Sequence, residues 1–265
     1  MLARRSIQRL RFNNPTPLVS SKAFGIGSEA RNMASTSEKD AKKALRKDIK
    51  DRLYALSEDD ISAQSKQAQE TILSMQQYRN AKRVGIYLSM PKSEAQTDLL
   101  IRDAFDNDKK VFVPYLHSVS SGSEGKKRKI MDMLRLTSLR EYETLEHDSW
   151  GIPSLAASSV EARENAIGGL GLLSSGDEAP GLDMVVVPGV SFDREGARTG
   201  HGAGFYDAYL SSYCADGKRE KPYLVGLCLA EQLLDPGQIV MQEHDWRVDA
   251  VAAGDGSLHA VEYNL

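Results

Sequence analysis

The stretch Asp193-Arg194-Glu195-Gly196-Ala197-Arg198-Thr199-Gly200-His201-Gly202-Ala203-Gly204-Phe205-Tyr206-Asp207 carries the densest set of residues able to hold an anion. Gly200, Gly202 and Gly204 let the backbone approach a ligand closely and turn N–H groups toward it. A helix starting just beyond them adds a field that favours phosphate. Arg198 supplies a fixed charge with forked donors. Asp207 offers the hard oxygen atoms that Mg²⁺ prefers. A G-x-G-x-G run by itself is equally a flexible turn; the arginine, the aromatic pair and the aspartate around it give the chemical direction.

Three other stretches could work with it. Leu45, Ile49, Leu53 and Leu56 form one apolar stripe of a helix. Lys42 and Arg46 fall about 40° apart at the edge of that stripe, whereas Lys43, Lys47 and Lys50 point elsewhere. Cations beside a buried face can meet a bound anion, or they can snorkel from the core boundary. In Glu243-His244-Asp245-Trp246-Arg247-Val248-Asp249, two carboxylates four residues apart could complete a metal site with Asp207, or form a polar turn before an edge strand. Leu88–Thr97 leaves the end of a strand, where α/β proteins bind ligands. There Glu94 could accept hydrogen bonds from a heterocycle, and Thr97 could cap a helix. Trp150-Gly151-Ile152-Pro153 adds an aromatic wall or a core tryptophan.

These residues need a scaffold, and the patterning describes one. Short apolar runs at Val84–Leu88, Lys110–Tyr115, Ile130–Leu136, Met184–Val187, Tyr223–Leu229 and Val248–Ala252 read as strands. Helices are expected over Asp40–Leu56, Ile61–Met75, Thr97–Phe105 and Ala203–Tyr213. The alternation predicts an α/β fold with a largely parallel sheet. Ser118–Lys129 reads as a polar loop, and 158–180 as loop or weak helix.

Composition sets the bounds. The chain has 265 residues, 41% apolar and 27% charged, with a net charge of -3. That balance argues against a general nucleic-acid binder, and no apolar run is long enough to cross a membrane. Two cysteines make neither a disulfide framework nor a zinc pattern. Residues 1–37 differ from the rest: Arg4, Arg5, Arg9, Arg11 and Lys22 precede the first acidic residue, Glu29, among recurring serines. The pattern is that of a mitochondrial targeting segment or of an untargeted disordered tail; targeting is the expectation, with a second start available at Met33 for a cytosolic form. Residues 38–265 are expected to form one domain, working as a monomer.

Taken together, Lys42–Arg46, Tyr87–Thr97, Met131–Met133, Trp150–Pro153, Asp183–Tyr209 and Glu243–Asp249 resemble the 5-formyltetrahydrofolate cyclo-ligase family, with the segments in the family's order. The resemblance implies a three-layer α/β sandwich, its central sheet flanked by helices, and ATP binding by Lys42, Arg46, Arg198 and the turn Gly200, His201, Gly202, Ala203, Gly204, Phe205 and Tyr206. It implies Mg²⁺ on Asp207 and Asp245, and reduced folate beside Met90, Glu94, Trp150 and Tyr206. It also implies the reaction: ATP and 5-formyltetrahydrofolate give 5,10-methenyltetrahydrofolate, ADP and phosphate. Phosphorylation of the formyl oxygen, then attack by N10, needs no protein nucleophile. The chain departs from the family at His201 and Ala203, where many members carry Arg or Lys, and at Phe205, usually Tyr. A non-catalytic nucleotide- or folate-binding protein on the same fold is the alternative those departures support.

The helix face makes a prediction. Replacing Lys42 or Arg46 by alanine should weaken ATP binding about 10- to 150-fold, the value of a charge-assisted contact, and leave folate affinity nearly unchanged. Lys43→Ala and Lys47→Ala should be near neutral. Measured ATP affinities and melting temperatures for the four variants decide: a loss of stability without selective loss of ATP would mean snorkelling.

Overall fold

The computed structural model describes residues 26–121, 126–172, 180–215, 217 and 219–261. The chain divides into a segment up to Lys39 and a body over Asp40–Leu265. The Arg-rich stretch up to residue 25 lies outside the described residues. Helix α1 spans Ile26–Tyr54, so it starts well before the expected Asp40. Helix α2, Glu58–Ser74, is set by a capping box in which Ser57 and Asp60 satisfy each other's backbone N–H. The short α3, Gln76–Asn80, leads into strand β1, Arg83–Ile86.

Then follow α4 (Asp98–Asp106), β2 (Lys110–Ser121), β3 (Lys126–Leu136) and the single-turn α5 (Leu139–Glu143). Short pieces β4 (Glu146–His147) and β5 (Pro153–Ser154) pair with each other. Strand β6 is Met184–Val187; β7 (Ser191–Asp193) and β8 (Arg198–Thr199) form a small hairpin. Helix α6 spans Phe205–Cys214, followed by β9 (Tyr223–Cys228), β10 (Leu233–Leu234), β11 (Ala250–Ala253) and β12 (Leu258–Ala260).

Seven strands form the central sheet in the order β12-β11-β9-β6-β1-β2-β3. The five inner strands are parallel and both edges are antiparallel. The period of two divides the side chains between two cores. Val111, Val113, Met184 and Val186 pack with Ile49, Ile61, Ile72, Leu100 and Ile101 of α1, α2 and α4. Phe112, Val185 and Val187 pack with Tyr209, Leu210 and Tyr213 of α6. Helices therefore cover both faces, as the near-continuous apolar strands require. This is the largely parallel α/β sheet the alternation predicts, a central sheet flanked by helices, and so the three-layer sandwich that the family resemblance implies.

Ser118–Lys129 is not a loop. Its two ends continue β2 and β3, paired from His117↔Ile130 out to Ser121↔Lys126, with 122–125 outside the described residues. Beyond the sheet this hairpin has solvent available to it, so its residues lose the apolar alternation that marks a strand while the backbone stays paired. The segment around Asn165 also adds to the edge. Asn165 bridges Leu134, and the Ala166 amide donates to Met133 O.

One close contact fixes β9 against the β6–β7 connection. The Phe192 ring is fully buried, and a Cβ added to Gly226 would lie 2.5 Å from its Cε1. A Cβ on Gly189 would lie 2.7 Å from the same ring. Gly226→Ala should therefore overpack the site and destabilise the fold by about 1–3 kcal/mol. Denaturant melts should show this loss, and Phe192→Leu in the same chain should recover part of it; an unchanged midpoint would contradict the packing.

Candidate functional site

All inner strands are parallel, so the loops after β1 and β6 and the turn before α6 emerge at one end of the sheet. Four chain segments meet there. Lys42, on α1, is buried, and its ammonium donates to Asp245 Oδ2 at 2.5 Å and to Gln242 Oε1 at 3.3 Å. One helical turn on, Arg46 Nε donates to Gly200 O at 2.8 Å. A Cβ on Gly202 would come within 3.7 Å of the Arg46 guanidinium carbon, so a glycine here lets the cation lie against the turn. Lys43, Lys47 and Lys50 are exposed. The helix register read from the stripe is the register observed.

Arg198, on β8, is also buried, and its Nη2 donates to Asp207 Oδ1 at 2.7 Å. Asp207 sits in the first turn of α6, whose N-cap is Gly204 in the left-handed conformation with no side-chain cap. The first amides of this helix are thus left to a ligand. The Trp246 amide donates to the same Asp207 oxygen at 3.0 Å, which ties the residue after Asp245 to Asp207 and joins the two carboxylates. Burial opposes ionisation of Asp245, but the Lys42 ammonium and the Gln242 amide outweigh it and hold the carboxyl below its usual range.

Both carboxylates keep one oxygen in hand. Asp207 Oδ2 has no hydrogen-bond partner among the described residues, and Asp245 Oδ1 meets only His244, at 3.6 Å. No cluster of three or more metal-ligating side chains exists among the described residues. Two carboxylates with free oxygens suit Mg²⁺, which fills most of its octahedron with phosphate oxygens and water.

The loop after β1 forms the other wall. Glu94 is buried, accepts from the Met90 amide at 3.0 Å and lies 3.9 Å from His201 Nε2 of the glycine turn. Gln96 holds this loop by donating to Met90 O and Glu94 O. Thr97 stands at the N-cap of α4 without a side-chain cap bond; its hydroxyl donates to Tyr87 O instead. Trp150 is 75% exposed, which rules out the core-tryptophan reading. Its loop borders the same wall, since a Cβ on Gly151 would lie 2.8 Å from Pro91. Tyr206 places a buried hydroxyl, without a partner among the described residues, near Glu94; burial first, then that charge, pushes its ionisation up.

Asp249 does not join. It accepts from the Lys221 ammonium and the Leu224 amide, and so serves the β9–β11 junction rather than a metal site. Glu243 is exposed. Gln242 and the Trp246 amide were not legible in advance, because both act through backbone groups or a loop conformation. Ala203 and Phe205 lie in the turn and the first helical residue, as expected.

The arrangement defines an α/β protein that gathers cations, carboxylates and a glycine turn at the carboxyl end of its sheet. A model described as the 5-formyltetrahydrofolate cyclo-ligase family matches residues 38–254. The chain is 37% identical over 223 residues to the 5-formyltetrahydrofolate cyclo-ligase of Mus musculus, covering 84% of this chain and 98% of that one. It is 25% identical over 227 residues to an Arabidopsis thaliana relative named 5-formyltetrahydrofolate cyclo-ligase, mitochondrial, covering 81% and 74%. The NMR structure of Aquifex aeolicus 5,10-methenyltetrahydrofolate synthetase shares the fold, with a TM-score of 0.58 at 22% identity over 84% of this chain and 94% of that one. This chain belongs to the 5-formyltetrahydrofolate cyclo-ligase family.

The lone hydroxyl gives a test. Tyr206→Phe removes an unsatisfied buried group, so the melting temperature should hold or rise. If a ligand is its partner, binding of reduced folate or nucleotide should weaken roughly tenfold. Calorimetry and a thermal melt on the same variant check both halves; reduced stability with intact binding would assign the hydroxyl to the fold.

Proposed function

We propose that this chain is an ATP-dependent 5-formyltetrahydrofolate cyclo-ligase, forming 5,10-methenyltetrahydrofolate with release of ADP and phosphate. The observation that carries this reading is the gathering of three cations at one end of the sheet: Lys42 on Asp245, Arg46 on Gly200 O of the glycine turn and Arg198 on Asp207, with His201 of that turn facing Glu94 on the neighbouring wall. Three cations and the amides before α6 suit a triphosphate. Glu94, Met90, Trp150 and Tyr206 line the side assigned to the reduced folate.

A formamide oxygen is a poor leaving group. Phosphorylating it makes the formyl carbon open to attack by N10, and phosphate departs as the ring closes. The protein's work is positioning and charge stabilisation. Arg46 and Lys42 orient the outer phosphates, and Arg198 stabilises charge on the transferred group. Glu94 orients the heterocycle so that the formyl oxygen meets the γ-phosphate. Asp207 and Asp245 would hold Mg²⁺, which supplies charge to the triphosphate. His201 and Ala203, in place of the family's usual cations, leave Arg46 as the main positive charge against the turn.

We also propose that residues 1–32 direct mitochondrial import, that a product beginning at Met33 stays cytosolic, and that the chain acts as a monomer. Fluorescent fusions of the two lengths should separate between compartments, and both should be active. For the chemistry, purified protein should raise the methenyltetrahydrofolate absorbance only with ATP. Asp207→Ala should lower that rate by about 10³-fold or more; because it leaves Arg198 unpaired it should also lower the melting temperature, so the rate is compared below the variant's own melt. ATP-independent signal, or no signal with intact binding of both ligands, would favour the non-catalytic alternative.

A further inference from the structure

Each carboxylate assigned to the metal is engaged by a cation assigned to the phosphates. Lys42 holds Asp245 at 2.5 Å, with side chains 10% and 13% exposed. Arg198 holds Asp207 at 2.7 Å, with side chains 5% and 13% exposed. We propose that these two ion pairs form a lock that opens for ATP already carrying its divalent cation and excludes metal-free ATP and free metal. The inference rests on the reading of the site given above.

The reasoning is charge balance. Two cations and two carboxylates sum to zero, so neither a polyanion nor a dication meets a net attraction from the four. Metal-free ATP could reach Lys42 and Arg198 only by pulling them from Asp245 and Asp207. That would leave two shielded carboxylates facing phosphates with nothing to balance them, and breaking a buried pair this way is strongly unfavourable. A divalent ion alone would take the carboxylates and strand two shielded cations beside a dication. When both arrive together, each pair exchanges partners: the cations turn to phosphate oxygens and the carboxylates to the metal. No charge is stranded.

The geometry suits exchange. Both pairs use a single carboxylate oxygen; among the described residues Asp207 Oδ2 has no hydrogen bond and Asp245 Oδ1 faces only His244, at 3.6 Å. Arg46 stands outside the lock. It donates to Gly200 O and has no carboxylate partner among the described residues, so it gives phosphate a first contact before the pairs open.

Calorimetry on the whole chain without folate tests the lock. Wild-type protein should bind ATP in EDTA at least about tenfold more weakly than Mg·ATP. Asp207→Asn and Asp245→Asn should each bind ATP in EDTA about tenfold more tightly than wild type, and Mg²⁺ should add little. Glu243→Gln, exposed on the same loop as Asp245, should leave metal-free binding unchanged. Conversely, Lys42→Met should bind Mn²⁺ alone more tightly, read by electron paramagnetic resonance, while Arg46→Met should not. Each pair has its own variant, so one that fails to fold leaves the other decisive. Folded Asp variants with no gain in metal-free ATP binding would overturn the lock, as would an equal gain in Glu243→Gln, which would mean general repulsion. If wild type binds Mg·ATP and only the gain is missing, the lock alone is wrong. If wild type binds no nucleotide in any form, the nucleotide reading of the site falls with it.

Discussion

Two shielded ion pairs, Lys42–Asp245 and Arg198–Asp207, tie together the segments that form the site. One reaches from α1 across about three-quarters of the chain to the loop before β11; the other closes the short arc from β8 to α6. The Trp246 amide then couples the pairs by donating to Asp207. Charges this shielded persist only where each has a partner. The positions of α1, the glycine turn and the 242–246 loop are therefore mutually dependent: moving one strands a charge in another.

The sheet makes that dependence possible. Five parallel strands send their following loops to one end, and two cores grip the sheet from both faces. Phe192 shows how tight the grip is, since its ring fills the space that a Cβ on Gly189 or Gly226 would need. The proposed reaction calls for no attacking side chain, which makes a rigid floor matter to the site. Its contribution is placement of charges and two ligands, and placement is only as good as the elements underneath.

The walls of the site also meet each other. His201 of the glycine turn approaches Glu94 of the loop after β1, and Gln96 braces that loop from within. The His201 side chain is 56% exposed while Glu94 is buried, so the contact spans the mouth of the site rather than its floor. The departure from the family's usual cation places an imidazole at the junction of the two walls.

Much of this was written in the sequence. The stripe Leu45–Leu56 fixed the α1 register, and with it which two of five cations turn inward, because helical periodicity is a local property. Apolar runs located the inner strands, since strands buried on both faces leave no alternation to misread. The glycine turn was legible for the same reason: its residues are contiguous. What only the tertiary structure decided was pairing. That Lys42 meets Asp245 while Asp249, four residues on, turns to Lys221 and the Leu224 amide depends on how β9 and β11 align. That Ser118–Lys129 continues a hairpin depends on backbone bonds to a partner strand, which polar side chains do not advertise. The role of the Trp246 amide could not be read at all, because a backbone N–H carries no side-chain signature. Local periodicity is set by neighbouring residues, but the partner of a charge or an amide is set by packing between segments that local sequence does not connect.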